Sequence, residues 1–586
     1  MPVHNADIAA VFAEIADLLE IEDANPFRVR AYRNAARILK DFPQDIAALL
    51  GRSGGKLPKL PGIGADLDAK IHEIVATGDC ALLRRLRGEV PPSITELLAI
   101  PGLGPKRVRA LYHDLGVRTR PQLLRAARDN RIAQLPGFGD RTQQNILTAV
   151  ETRGGDAGRF KLAVAAQYAE SLIAYLRRIR GVSRAVVAGS FRRMRETVGD
   201  LDILVVAADA APVMRSFLEY EEVKTTLAGG ATRASVVLRC GLQVDLRVVP
   251  AASYGAALVY FTGSKAHSIV LRRMAQERGL KLNEYGVFRG AKTIAGRTEQ
   301  SVYAALGLPY IAPELRENEG EFEAARARRL PQLVERGDLR GDLHSHTTAS
   351  DGRDSLRAMA LAALAAGLEY LAITEHSRRL AMAHGLDPRR LTRQCDEIDR
   401  LNTELSGITL LKGIEVDILA DGELDLPDSA LAQLDVVIAA VHSSFDLPRE
   451  RQTERIVRAL ANPYVTMLAH PTGRLIGERN AYDVDMLRIM REAKHRGCFL
   501  ELDSQPDRLD LIDTHCRMAK EEGVPVAIDS DAHSAFDFAN LRYGIGQARR
   551  GWLEADDVIN TRSLARLRPL LRRQLHRSPR RASRAK

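Results

Sequence analysis

Residues Gly189 to Val205 read GSFRRMRETVGDLDILV. Asp200 and Asp202 stand two apart in an otherwise apolar run that continues Ile203-Leu204-Val205-Val206. A strand sends alternate side chains to opposite faces, so both carboxylates project together while Leu201 and Ile203 turn to a core. Two hard oxygen ligands on one rigid face suit Mg²⁺, which binds through one or two carboxylates and completes its shell with substrate phosphates. Upstream, Gly189-Ser190 follows the apolar run Ala185-Val186-Val187-Ala188. A strand ending in a small-residue turn exposes backbone N–H groups that can hold a polyphosphate. Arg192, Arg193 and Arg195 supply positive charge between the two elements.

A D-x-D pair alone fits a surface strand edge. Gly-Ser, nine residues, then D-x-D on an apolar strand is more restrictive, and it is the pattern of nucleotidyltransferases. Asp245 is the candidate third carboxylate. In Leu242-Gln243-Val244-Asp245-Leu246-Arg247-Val248, Asp245 and Arg247 share the polar face.

A chain of 586 residues must divide into several domains. Its 45% apolar and 27% charged composition is that of a soluble globular protein. No stretch approaches the ~18 apolar residues of a membrane span. The early acids of MPVHNADIAAVFAEIADLLE do not fit a signal peptide. Cys80, Cys240, Cys395, Cys498 and Cys516 are scattered without a C-x-x-C, which fits a reducing cytosol. The net charge of +10 is concentrated at the end, where Arg572 to Lys586 holds seven basic residues and no acid. That tail is expected to be disordered and to add non-specific DNA affinity.

Residues 5–22 place Ile8, Val11, Phe12, Ile15, Leu18 and Leu19 on one helical face, and 26–50 repeat the pattern after Pro26. Three similar segments follow: Leu60-PGIG-Ala65, Ile100-PGLG-Pro105 and Leu135-PGFG-Asp140. Each reads as the turn of a helix–hairpin–helix, whose amides bind a backbone phosphate without reading sequence. Gly62, Gly64, Gly102, Gly104, Gly137 and Gly139 are the candidate contacts, with Lys106 after the second turn. Asp245 is followed by Tyr260-Phe261-Thr262-Gly263-Ser264, a helical pattern from His267 to Arg278, and Asn283-Glu284-Tyr285.

GSFRRxxExxGDxD, VDLRVVP, YFTGS and NEY in this order resemble family X DNA polymerases, the group of DNA polymerase beta, across residues 1–315. The resemblance implies that Asp200, Asp202 and Asp245 hold two Mg²⁺ ions that activate the primer 3′-hydroxyl and support the leaving pyrophosphate. It places Gly189, Ser190, Arg193, Gly199 and Gly263 at the triphosphate, Tyr260 and Phe261 under the incoming sugar, and Arg272 near the template. Met194 departs from the family's usual Gly and Ser268 from an Asn that touches the base. Lys70 falls at the Schiff-base lysine of 5′-deoxyribose phosphate removal, with Asp66 at an often basic position, so a phosphate contact or a solvated lysine competes with lyase chemistry.

Beyond the charged stretch 316–337, read as a linker, short β-like segments alternate with helices to about residue 571. Their ends carry His344, His346, Asp351, His376, Glu415, His442, His470, Asp531 and His533, including six of the fourteen histidines. A strand–helix barrel builds its site from such strand C-termini. Imidazole mixed with carboxylate favours Mn²⁺, Zn²⁺ or Fe²⁺ over Mg²⁺, and nine ligands suffice for about three ions. HSHT, SDG, EH, GIE, VH, HP and DAH resemble the PHP (polymerase and histidinol phosphatase) domain over residues 338–571, in the version fused to bacterial family X polymerases. There the site is a metal-dependent 3′-5′ exonuclease. Glu375 replaces an expected Asp before His376.

The expected fold is multidomain α+β and α/β. A helical lyase-like domain spans 1–85 and a helix–hairpin–helix fingers-like domain 86–155. A nucleotidyltransferase palm covers 156–255 and a nucleotide-selecting domain 256–315. The linker 316–337, a PHP distorted (β/α) barrel over 338–571 and the basic tail 572–586 complete the chain. The expected activity is gap-filling, template-directed repair synthesis with 3′-5′ trimming. The partners are gapped or primer–template DNA and dNTPs, with no membrane, in a monomer of the cytoplasm and nucleoid. The alternatives are a PHP domain that only scaffolds, or a DNA-tethered phosphoesterase acting on abasic ends.

Overall fold

The computed structural model describes residues 3–42, 44–52, 57, 60, 62–98, 100, 103–139, 142–144, 146–147 and 158–572. Gly102 and the tail beyond residue 572 lie outside the described residues. The N-terminal region opens with helices α1 (Asn5–Ile21) and α2 (Pro26–Asp41). Helix α1 buries Ile8, Phe12, Ile15, Leu18 and Leu19, the face its periodicity marks. Asn25 caps α2 by accepting from the Phe27 amide at 2.9 Å, and Pro26 supplies the preset φ of a first turn. One apolar cluster runs from Val3 to Ile146, so the two helical units share a core.

The palm begins with α3 (Leu162–Arg177), behind a sheet of β1 (Val182–Val187), β2 (Asp200–Ala207), β3 (Val223–Gly229), β4 (Arg233–Leu238) and β5 (Gln243–Val249). The strand order is β1-β2-β5-β4-β3. β2 and β5 pair in parallel, and the other neighbours are antiparallel. Leu201 and Ile203 of β2 are buried on the core side, while Asp200 and Asp202 reach the opposite face. Helices α4 (Tyr254–Thr262) and α5 (Lys265–Glu277) then bring the YFTGS tract to that face.

Residues 316–337 are packed and do not behave as a free linker. Arg316 is fully buried, donating to Glu299 at 2.8 Å and to the Ile311 carbonyl at 3.0 and 2.8 Å. Glu321, also fully buried, meets His267 at 2.7 Å, and Phe322 stacks on that imidazole at 4.5 Å. Arg316 and Glu321, two of the charges that suggested a linker, are instead paired inside.

The C-terminal domain is a parallel sheet of β6 (Gly341–Asp342), β7 (Tyr370–Ile373), β8 (Thr409–Asp417), β9 (Val436–Ala440), β10 (Met467–Leu468), β11 (Phe499–Asp503) and β12 (Val526–Asp529), in sequential order. The strands are buried on both faces, as parallel sheets flanked by helices require. A parallel bridge between Ser345 and Ala532, with the Leu343 amide donating to Asp529 at 2.8 Å, draws first and last strands into a nearly closed barrel. Helix α6 (Leu541–Arg550) returns along the palm. Among the described residues no helix is long and apolar enough to cross a membrane.

Candidate metal centres

The parallel register of β2 and β5 sets Asp202 directly beside Asp245. Asp245 is fixed by Ser235, whose hydroxyl donates to Oδ1, and by Gln243, which donates to Oδ2 at 3.0 Å. Burial, then the charges of Asp200 and Asp245, push Asp202 up to about 7. Burial and Asp245 likewise raise Asp200. Carboxylates placed near one another against their repulsion suit a cation. Gly189 is required beside them: its φ is +62°, and a Cβ there would stand 2.5 Å from Oδ2 of Asp202.

Gly189, Asp200 and Asp202 line a cleft of about 720 Å³ that also takes in Ser190, Arg193, Gly199, Tyr260, Phe261, Gly263 and Arg272, while Asp245 stands beside it on the neighbouring strand. Arg193 donates to the Thr262 carbonyl at 2.5 Å and to Glu317 at 3.0 Å. Arg192 turns away instead, held by Glu299 at 2.8 and 2.7 Å. Tyr260 is partly open beneath the Arg272 guanidinium at 5.9 Å, and Phe261 lies under Arg247 at 4.4 Å. The Ser268 hydroxyl lines the cleft buried and without a protein hydrogen-bond partner. Arg159, Lys265 and Glu317 complete the wall. No motif marks them, and Glu317 lies in the stretch read as a linker.

In the N-terminal region Gly64 and Gly104 cap the helices Ala65–Thr77 and Pro105–Leu115. Gly62 and Gly137 take φ +81°, and Gly139 and Lys106 are exposed. Lys70 is ion-paired with Asp66. Burial alone would lower its pKa, but Asp66 and Tyr32 outweigh burial and raise it. A protonated amine is no nucleophile, which counts against the lyase reading.

The C-terminal domain gathers all nine sequence-identified ligands. Three overlapping groups have candidate ligand atoms within 4.8 Å of one another: His344, His346 and Asp531; His346, Asp351, His376 and His533; and His376, Glu415 and His442. His470 joins at 2.9 Å from Glu415. Nε2 of His344 faces Nε2 of His346 at 3.1 Å. Nδ1 of His376 lies 2.6 Å from Oε2 of Glu415, yet neither atom has the alignment of a hydrogen bond. Nδ1 of His346 is likewise buried and unpartnered. Buried ring nitrogens and a carboxylate oxygen left without hydrogen-bond partners fit divalent cations. Burial opposes protonation of His376, but Glu415 and Asp351 raise it to about 10. Burial, with His533 and His376 alongside, holds His346 down at about 3. Protons and cations compete for such donors.

Outer partners orient the ring nitrogens. Glu501 meets Nδ1 of His344 at 2.6 Å and accepts the His470 amide at 2.6 Å; Asp417 meets Nδ1 of His442 at 2.7 Å. Glu375 is buried and accepts from the Thr347 amide at 3.0 Å, the Thr347 and Ser350 hydroxyls, and Gln394 at 2.8 Å. Its side chain therefore braces the loop leading to Asp351, and its carbonyl accepts from the Glu415 amide at 3.0 Å. The cleft above the cluster, about 880 Å³, has a far wall from α1 and α2, including Ala6, Ala10, Ala13 and Arg37, with Phe160 from the palm.

Four family descriptions match the chain: a helix-hairpin-helix domain over residues 3–80, a SAM-like helix-hairpin-helix tandem over 94–152, a DNA polymerase beta thumb over 257–317 and a PHP domain over 342–505. The DNA polymerase/3′-5′ exonuclease PolX of Bacillus subtilis (strain 168) is 38% identical over 97% of this chain and 100% of its own length. A probable phosphatase of Thermoanaerobacter sp. (strain X514) is 30% identical over 38% of this chain and 89% of its own. A solved ternary complex of Leishmania infantum polymerase beta aligns with TM-score 0.26 at 23% identity, covering 38% of this chain and 98% of that one.

Proposed function

The chain belongs to the PolX family of DNA polymerase/3′-5′ exonucleases, and from that premise we propose which of its residues carry each reaction. The protein is a DNA polymerase joined to a 3′-5′ exonuclease.

Synthesis is assigned to the palm cleft. Asp200, Asp202 and Asp245 hold Mg²⁺, and the observation that carries this is that Asp202, register partner of Asp245, lines a cleft with Asp200 and Arg193. Ser190, Arg193, Gly189 and Gly199 bind the triphosphate, Tyr260 and Phe261 pack on the sugar, and Ser268 offers its free hydroxyl to the base. Arg272 approaches the template. The exposed glycine turns and Lys106 grip the backbone of gapped or primer–template DNA, which suits short-gap filling in repair.

Trimming is assigned to the histidine cluster, which holds about three Mn²⁺ or Zn²⁺ ions on His344, His346, Asp351, His376, Glu415, His442, His470, Asp531 and His533. Bound divalent cations supply Lewis acidity toward a phosphodiester at both centres. Glu501 and Asp417 keep the imidazole lone pairs aimed inward.

The test is a 5′-labelled primer annealed across a one-nucleotide gap, with Mn²⁺, with and without dNTPs. Extension with dNTPs and laddered shortening without them are expected. Extension without shortening refutes the nuclease assignment.

A further inference from the structure

Met194 occupies a position with φ +55°, where glycine is the easy residue. Its side chain lies against Gly546 of α6, in the C-terminal domain. A Cβ at Gly546 would collide with Met194 Cε and stand 3.0 Å from its Cβ and Cγ. A methionine kept in a left-handed conformation and a glycine vacated opposite it form a matched knob and hole.

Four residues further along α6, Arg550 is almost wholly buried. Its Nη1 donates to the Arg193 carbonyl at 3.0 Å and to Oε1 of Glu317 at 3.0 Å, and its Nη2 to Asp513 at 2.6 Å. The same Glu317 oxygen accepts from Nε of Arg193 at 3.0 Å. Arg474, also from the C-terminal domain, donates to Glu196 at 2.7 Å, at the far end of the turn. The palm core continues into Tyr543, Ile476 and Leu509 of that domain. The turn that presents Arg193 to the cleft is therefore gripped at its backbone, its apolar knob and its counter-ion by the nuclease domain.

We infer that α6 is a working part of the polymerase's nucleotide site: Arg550 and Gly546 are positioning residues that hold the Gly189–Arg195 turn so that Arg193 faces an incoming triphosphate. Glu317 is the shared element. While Arg550 neutralises it, Arg193 has donors to spare for phosphate; without Arg550, the carboxylate is left with Arg193 at 3.0 Å and the more distant Arg195 at 4.0 Å, and competes with the nucleotide for Arg193. The inference rests on the assignment of Arg193 to the triphosphate.

The experiment measures KM for dNTP, kcat of extension and 3′ trimming of a single strand, in the full-length protein. Arg550→Ala is expected to raise KM about tenfold, the loss of about one charge-assisted hydrogen bond, with little change in kcat or trimming. Gly546→Ala is expected to raise KM in the native background and to add nothing when residue 194 is changed by Met194→Gly, a non-additivity that a general loss of stability does not give. Equal penalties of Gly546→Ala in both backgrounds, an unchanged KM in both single variants, or parallel loss of extension and trimming would each overturn the coupling. If Arg550→Ala fails to fold, the Met194–Gly546 cycle decides alone. Arg193→Ala separates the two levels: an unchanged KM there removes the Arg193 assignment, whereas a raised KM with silent Arg550 and Gly546 variants removes only the coupling.

Discussion

Asp202 and Asp245 are register partners on adjacent parallel strands, although an antiparallel hairpin separates them in the chain. With Asp200 alongside, burial and like charge push Asp202 up to about 7. A folded pKa above the unfolded value favours the protonated fold, so the metal-free protein loses stability as pH rises through about 7. Protons also compete with the cation below that value. Mg²⁺ affinity is therefore expected to be about tenfold weaker at pH 6 than at pH 8, for one displaced proton. Mg²⁺ should also raise Tm more at pH 8. Calorimetric titration and thermal melts check both, and a pH-independent affinity contradicts the cluster's electrostatics.

Glu501 belongs to none of the three metal-sized groups, yet it meets His344 Nδ1 and accepts the His470 amide, both at 2.6 Å. Glu501→Gln is expected to weaken metal affinity or trimming by about 10- to 100-fold, the usual cost of losing such a partner. Primer extension should be unaffected. Trimming rates across a Mn²⁺ titration would show it, and undiminished trimming at limiting Mn²⁺ argues that Glu501 is only packing.

Lys70 is held as an ammonium by Asp66. Borohydride treatment in the presence of a 5′-deoxyribose phosphate end is expected to trap no adduct at Lys70. Lys70→Ala should leave gap filling within about twofold, as for a surface lysine away from chemistry. A peptide-mapped adduct on Lys70 would restore the lyase reading.

Both centres were legible because their ligands sit in short motifs on strands, where a period of two places them on one face. Asp200 and Asp202 lie on one strand, GIE lies within another, and HSH and DAH follow closely on the ends of two more. What escaped belongs to tertiary structure. Glu317 and Arg159 reach the palm cleft from segments with no periodic signal. Arg192 and Arg193 are adjacent in sequence, but one turn of helix sends only Arg193 to the cleft. Residues 316–337 looked like a solvated linker because charge pattern cannot reveal that Arg316 and Glu321 find partners inside. Met194 read as a departure from family pattern; its partner, Gly546, lies far along the chain.

The assignment of two reactions to two separate sites in one chain is tested most directly by assaying Asp202→Ala and His344→Ala side by side on the same labelled gapped primer. The account predicts that Asp202→Ala abolishes extension, by at least about 10²-fold, while trimming persists, and that His344→Ala does the reverse. Extension retained by Asp202→Ala, or trimming retained by His344→Ala, would contradict it.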